Sequence, residues 1–84
     1  MKLKNIPETA WGAWHEGMNC AIRVQHNTND TYPRDFYVAV QIMDFDGHIH
    51  TRRGHGKFIG NFAPIWVNWK GKKHQVETLL REGL

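Results

Sequence analysis

The chain has 84 residues, of which 40% are hydrophobic and 23% charged, and its formal net charge is +3 at pH 7. A chain of this length forms one domain, and its ordinary apolar content and modest net charge exclude a largely disordered protein. Its apolar runs are too short to span a membrane, and its single cysteine, Cys20, excludes an intrachain disulfide.

The N-terminal residues predict a cytosolic protein. Lys2 and Lys4 are followed by Pro7 and Glu8 instead of the apolar core of a signal peptide. Without disulfides, a fold of this size depends on its apolar core, on an oligomer or on a bound metal. A homodimer therefore stays open as an alternative to a monomer.

The positive charge is concentrated in one part of the chain. The tract from Gly47 to Val76 contains six Lys and Arg residues and no Asp or Glu, whereas residues 1–46 contain four against six and residues 77–84 contain one against two. The tract also holds four of the six histidines and two of the four tryptophans. A basic, aromatic tract in a weakly acidic remainder indicates a surface that meets a negatively charged partner.

The first predicted elements are a short helix and a strand. Two tryptophans three residues apart, Trp11 and Trp14, favour a short N-terminal helix. Alternating apolar residues over 18–24 then predict a half-buried strand. Cys20 lies on the apolar side of that strand, which indicates a core cysteine and not a reactive thiol.

The strongest strand pattern follows a polar loop. Residues 25–34 are polar and contain Pro33, and we expect them to form a long exposed loop. Residues 35–45 then alternate over two faces. One face, here named the aliphatic row, has the composition of a core. The aliphatic row consists of Val38, Val40 and Ile42, with Phe36 before them on the same face. The other face consists of Tyr37, Ala39, Gln41, Met43 and Phe45.

Asp46 and Gly47 predict a two-residue type I′ hairpin turn, which fixes the register of the strands on either side. In that register Arg52 and the histidines lie on the face away from the aliphatic row, and Ile49 lies with the row. The predicted cross-strand pairs are Phe45 with His48, Met43 with His50, Ile42 with Thr51, and Gln41 with Arg52.

The second half of the chain predicts further strands. Gly54 and Gly56 indicate a bulge or a turn after the hairpin. Residues 57–62 are expected to form a short strand and residues 65–69 another, which ends at Lys70 and Gly71.

A C-terminal helix completes the predicted elements. Val76, Leu79 and Leu80 have helical spacing, which predicts a helix over residues 74–82 with Gly83 as its C-cap. A strand over the same residues is the alternative. The chain is therefore predicted to have an α+β fold, a small antiparallel sheet of about four strands with short terminal helices.

Two histidines raise the question of a metal site. His48 and His50 have a spacing that many metal sites use, and His26, His55 and His74 are candidate further ligands. A second Cys or a Glu at metal-ligand spacing is missing. We therefore predict no metal and no cofactor, and interpret the histidines as polar residues on a solvated sheet face.

The candidate binding residues combine the hairpin face with the basic positions that follow it. Tyr, Phe, His and Arg are typical of surfaces that bind partners or stack nucleobases, and Lys and Arg contact phosphates. The alternative is a helix packed on this face, which would bury its aromatic residues in a two-layer core. The predicted binding residues are Tyr37, Phe45, His48, His50, Arg52, Arg53, Lys57, Lys70, Lys72 and Lys73.

No motif in the sequence identifies an activity: the patterns of nucleic-acid-binding modules, phosphate-binding loops and nucleophile elbows are absent. We predict a small non-enzymatic binding protein, an accessory regulator or inhibitor of the kind that mobile elements encode. Its basic, aromatic, His-bearing face would meet nucleic acid or an acidic protein that handles nucleic acid. The alternative is a small metal-independent ribonuclease, because His, Glu and Arg can supply a base, an acid and a phosphate-binding cation.

Overall fold

The computed structural model of the protein describes residues 8–25, 35–57 and 64–84. They form one antiparallel sheet in which each strand is hydrogen-bonded to the next along the chain, and a short helix, α1 (Val76–Glu82), follows the last strand. The strands are β1 (His15–Glu16), β2 (Ala21–Val24), β3 (Asp35–Met43), β4 (Ile49–Lys57), β5 (Ile65–Trp69) and β6 (Lys72–Gln75).

The predicted antiparallel sheet with a C-terminal helix is confirmed, but the sheet has six strands where about four were expected. The two strands that the sequence pattern did not predict, β1 and β6, are short. β1 has two residues and β6 has four polar ones, Lys72–Gln75. Neither carries the apolar alternation by which strands are recognised in a sequence.

The terminal helices differ from their predictions. The N-terminal helix around Trp11 and Trp14 is wrong: a single 3-10 turn, Glu8–Ala10, ends before Trp11, which forms a bridge with Gln25. At the other end α1 begins at Val76, two residues later than predicted, because the residues before it pair with β5. Gly83 is the C-cap as expected, with a φ of +90° and its N–H donating to Leu79 O at 2.8 Å.

The hairpin between β3 and β4 has a three-residue loop, so the predicted two-residue turn is wrong. Asp44 N donates to His48 O at 2.9 Å and Gly47 N donates to Asp44 O at 3.0 Å. A type I′ turn requires a positive φ at both central residues. Gly47 has a φ of +84°, but Asp46 is not among the residues with positive φ. The Asp44 carboxylate instead accepts the backbone N–H groups of Asp46 and His48 and supports the longer loop.

This loop shifts the register by one residue, which moves every β4 side chain to the other face of the sheet. Ile42 faces His50 and Val40 faces Arg52. His50 and Arg52 therefore share a face with the aliphatic row, contrary to prediction. Ile49, expected on that face, lies on the opposite one and is 50% exposed.

The two faces of the sheet are distinct. The helix face, on the side of α1, carries the aliphatic row, and its core residues are Ile22, Val38, Val40, Ile42, Val67, Trp69 and, from α1, Leu79. The open face is the opposite side of the sheet. The predicted assignment of Val38, Val40 and Ile42 to the core is confirmed, since all three are buried.

The glycines of β4 make room for the core and do not form a bulge. The pairing of β3 with β4 is continuous through Gly54 and Gly56. A Cβ on Gly54 would lie 2.6 Å from Val40 Cγ2, and a Cβ on Gly56 would overlap the ring of Phe36. Side chains at these two positions would displace the row that β3 buries.

Cys20 lies at the edge of this core. It is half-buried and packs against the core cluster, and its Sγ donates to Leu79 O at 3.8 Å. Burial raises the pKa of the Cys20 thiol, which keeps it protonated and unreactive at neutral pH. This environment supports the interpretation of a core cysteine.

Most of the loop predicted over 25–34 and most of the strand predicted over 57–62 lie outside the described residues; Gln25 forms a bridge with Trp11, and Lys57 ends β4. The strand predicted over 18–24 begins at Ala21, and the strand predicted over 35–45 ends at Met43. The described part of the chain contains no helix with the length and apolar character that crossing a membrane requires.

Candidate nucleic-acid interface

A row of three rings crosses three neighbouring strands on the open face. Tyr37 of β3 pairs with His55 of β4, and His55 pairs with Trp66 of β5. Directly paired residues of an antiparallel sheet point to the same side. The ring centroids of Tyr37 and His55 are 5.4 Å apart with planes inclined by 44°, and those of His55 and Trp66 are 6.4 Å apart with planes inclined by 32°.

Cations flank the ring row, here the set of Tyr37, His55 and Trp66. The Arg53 guanidinium lies 4.0 Å from the ring centroid of Tyr37, and Lys73 Nζ lies 5.9 Å from the centroid of a Trp66 ring. Lys57 follows His55 by two residues on the same strand, which places it on the same face. None of the strands β4, β5 and β6 contains an acidic residue.

The ring row is accessible. Tyr37 is 63% exposed, and His55 and Trp66 are half-buried. The one helix of the described part, α1, contributes Leu79 to the core on the other face. Accessible aromatic rings beside Arg and Lys are typical of binding surfaces.

A network of polar side chains borders the ring row at β2. Arg23 is only 9% exposed, lies between the rings of Trp11 and Trp14, and donates from Nε to Gln41 Oε1 at 2.8 Å. Its Nη atoms contact the Glu8 carboxylate, and this contact lowers the pKa of Glu8. The guanidinium is therefore engaged by protein groups, and it supports the surface without being free to bind a phosphate.

The predicted binding residues are divided by the structure. Tyr37, Arg53, Lys57 and Lys73 take positions on the open face. Four others belong to the helix face or to the turn beside it, and two are exposed at or beside the hairpin loop. The helix-face group is His50, Arg52, Lys70 and Lys72, and the hairpin pair is Phe45 and His48.

Two residues of the ring row were missed by the sequence analysis. Trp66 was predicted on a strand, but its neighbour across the sheet was unknown because the pairing of β4 with β5 follows from no turn signal. His55 lies between the two glycines that were predicted to mark a bulge or a turn. In the structure β4 continues straight through this position, and His55 pairs with both Tyr37 and Trp66.

His48 and His50 take part in the contacts that stabilise the hairpin loop. Asp44, Asp46 and His48 have potential ligand atoms within 4.8 Å of one another. However, Asp44 Oδ1 accepts the N–H groups of Asp46 and His48 at 2.9 and 3.0 Å, and Oδ2 lies 2.9 Å from His50 Nε2. These hydrogen bonds, that of His50 first, lower the pKa of Asp44. The cluster thus has a structural role in the loop.

No protein-family model matches the chain, and no curated protein or solved structure matches it significantly. The chemistry of the open face is therefore the basis for assigning a function.

Proposed function

We propose that the protein is a non-enzymatic binding protein that holds single-stranded nucleic acid on its open face. The observation that carries this proposal is the row of Tyr37, His55 and Trp66 across three neighbouring strands, with Arg53 and Lys73 beside it. Aromatic side chains on an exposed sheet face stack unpaired bases, and basic side chains beside them contact the phosphates.

The ring row suits a single strand better than a duplex. Paired bases in a duplex hide their flat faces, whereas the bases of a single strand can be splayed out onto rings. Each stacked base contributes about 1 to 3 kcal/mol, with little dependence on sequence. Affinity should therefore fall with salt and vary little among base compositions.

An acidic protein is the other partner that such a surface could attract, because Tyr, Trp and Arg are enriched at protein interfaces. The nucleic-acid assignment is favoured by the combination of rings and cations. β4, β5 and β6 contain eight Lys, Arg and His residues and no Asp or Glu, so these three strands present no acidic side chain to the phosphates of a bound strand.

The sequence offers two matched pairs of variants, because neighbouring strand residues point to opposite faces. Arg53 and Lys73 belong to the open face, and Arg52 and Lys72 to the helix face. Labelled oligonucleotides of about 12 nucleotides with 5′-hydroxyl ends fit the usual range of site sizes. Fluorescence anisotropy at several salt concentrations then gives the affinity of each variant.

We expect Arg53→Ala and Lys73→Ala to weaken binding and to flatten the salt dependence by about 0.7 per lost phosphate contact. Arg52→Ala and Lys72→Ala should bind as the wild type does. Equal losses from both members of each pair would indicate nonspecific attraction by net charge and would refute the site. Failure of every oligonucleotide to bind at low salt would leave an acidic protein as the partner, and shortening of the RNA would favour the ribonuclease alternative.

A further inference from the structure

An open cleft of about 550 Å³ lies next to the hairpin loop, away from the ring row. It is lined by residues of β4, of the hairpin loop and of the turn after β5, which are separated in sequence. Its size is within the range of small-molecule sites. The lining residues that matter here are Asp44, Phe45, His50, Arg52, Trp69 and Lys70.

Three basic side chains converge on the ring of Trp69. The Arg52 guanidinium lies 5.5 Å from the centroid of a Trp69 ring and Lys70 Nζ lies 5.9 Å from it. His50 meets Trp69 edge to face at a centroid distance of 5.1 Å. The indole therefore lines the cleft and is in contact with two permanent cations and an imidazole.

Lys70 occupies a turn position that does not favour lysine. Lys70 and Gly71 form the two-residue turn between β5 and β6, with φ angles of +52° and +79°. Lys70 is the one residue other than glycine with a positive φ in the described part of the chain. Such a turn favours Asn, Asp or Gly at this position, so turn formation does not account for the lysine. Lys70 lines the cleft, and an unfavourable backbone conformation at a lining residue is an observation from which a function can be inferred.

The acidic side chains of the lining are Asp44 and Asp46. Both oxygens of Asp44 are engaged, Oδ1 by two backbone N–H groups and Oδ2 by His50 Nε2. This carboxylate therefore orients the imidazole, and Nδ1 is the ring nitrogen that stays available to a ligand. Asp46 is exposed, and it is the acid that would oppose a bound anion.

We propose that this cleft is a second site, which binds the phosphomonoester group of a nucleotide. Arg52 and Lys70 contact the phosphate, His50 donates a further hydrogen bond from Nδ1 when both ring nitrogens carry a proton, and Phe45, which is 88% exposed at the rim, offers a ring to the base. The phosphate belongs either to a free mononucleotide or to the 5′ end of a strand, since both present the same dianionic group.

The test is a titration of the isotopically labelled protein followed by amide and indole NMR signals, with 5′-adenosine monophosphate and adenosine as probes. We expect the monophosphate to shift the signals of Lys70, Gly71 and the Trp69 indole, and adenosine to bind at least about ten-fold more weakly, which is the loss expected for one charge-assisted contact. Signals of the ring row are followed separately, because the base of either probe can stack there as well.

Two variants are expected to change the affinity for the monophosphate in opposite directions, which separates an effect on binding from an effect on folding. Lys70→Asn should weaken monophosphate binding about ten-fold while leaving the melting temperature unchanged or raised, because Asn suits the turn. Asp46→Asn should tighten binding by removing the opposing charge. Arg81→Gln, an exposed position of α1 that does not line the cleft, is the control that leaves binding unchanged.

Oligonucleotides with and without a 5′ phosphate identify the source of the phosphate. If the strand end supplies it, phosphorylation raises the affinity and Lys70→Asn removes the gain; if a free nucleotide supplies it, both oligonucleotides bind equally. The proposal is overturned if millimolar monophosphate shifts no signal at the cleft, or if Lys70→Asn and Arg52→Gln, both folded, bind it as the wild type does.

Discussion

The guanidinium of Arg53 lies 4.0 Å from the ring centroid of Tyr37, its diagonal neighbour on the adjacent strand. This contact places a permanent positive charge at stacking distance from the most exposed ring of the row. A nucleotide whose base stacks on Tyr37 therefore has a phosphate-binding group within reach. The contact also holds the Arg53 side chain in place before binding, which lowers the entropy lost when a strand docks.

Removing the Tyr37 ring should separate binding from stability. The ring is mostly exposed, so we expect Tyr37→Ala to change the free energy of unfolding by no more than about 0.5 kcal/mol. The same change should weaken binding of a single strand by about 1 to 3 kcal/mol, the contribution of one stacked base. Tyr37→Phe keeps the ring and should bind as the wild type does. Denaturant melts and anisotropy on the three proteins check this, and strong binding by Tyr37→Ala would remove Tyr37 from the site.

The loop between β3 and β4 should depend on the left-handed conformation of Gly47. Its φ is +84°, and a Cβ built on it would meet no atom within 4 Å, so only the backbone conformation resists substitution. We expect Gly47→Ala to lower the free energy of unfolding by about 1 kcal/mol, and Gly47→Asn by less, because Asn tolerates this conformation. Urea unfolding measures both, and equal costs for Ala and Asn would show that another constraint acts at this position.

The sequence predicted elements better than it predicted their pairing. The aliphatic row of β3 and the apolar alternation of β5 determine which strand residues are buried, and both were recognised without the structure. The register of β4 depends on whether Asp46 adopts a positive φ, and a local sequence of Asp and Gly is compatible with a loop of two or of three residues. The Asp44 side chain, which accepts the N–H groups of Asp46 and His48, decides in favour of three.

The three-residue loop changes the face on which the β4 residues of the candidate site lie. It placed His50 and Arg52 on the helix face and brought His55 opposite Tyr37. The ring row needs two correct registers, β3 with β4 and β4 with β5, and the second involves long-range contacts such as the packing of Ile65 against Gly54. Such contacts cannot be derived from local propensity.

The planar guanidinium of Arg23 should be required for the stability of the fold, because Arg23 is buried. The side chain contacts Glu8 through Nη1 and Nη2, donates from Nε to Gln41, and lies between two tryptophan rings. Lysine keeps the charge but cannot make these bonds together. We expect Arg23→Lys to lower the free energy of unfolding by about 1 to 3 kcal/mol, since hydrogen bonds to a charged group are lost from a covered site. Arg81→Lys, at an exposed position of α1, is the control, and an equal effect of the two changes in thermal melts would contradict the prediction.

The Asp44 carboxylate should make the stability of the hairpin depend on pH. Hydrogen bonds from His50 and from two backbone N–H groups lower its pKa in the folded state. A carboxyl whose folded pKa lies below its unfolded value of about 3.9 stabilises the fold above that value, and the stabilisation is lost as the pH falls through the folded pKa. We therefore expect Asp44→Asn to melt at a lower temperature than the wild type near pH 6, and the difference to shrink below about pH 4 as the wild-type carboxyl takes up its proton. Asp46→Asn is the matched control two residues away, since no hydrogen bond to its carboxylate is found in the described residues. A difference between Asp44→Asn and wild type that stays constant from pH 6 to pH 3 would show that the Asp44 side chain acts through its shape alone and that its charge does not stabilise the loop.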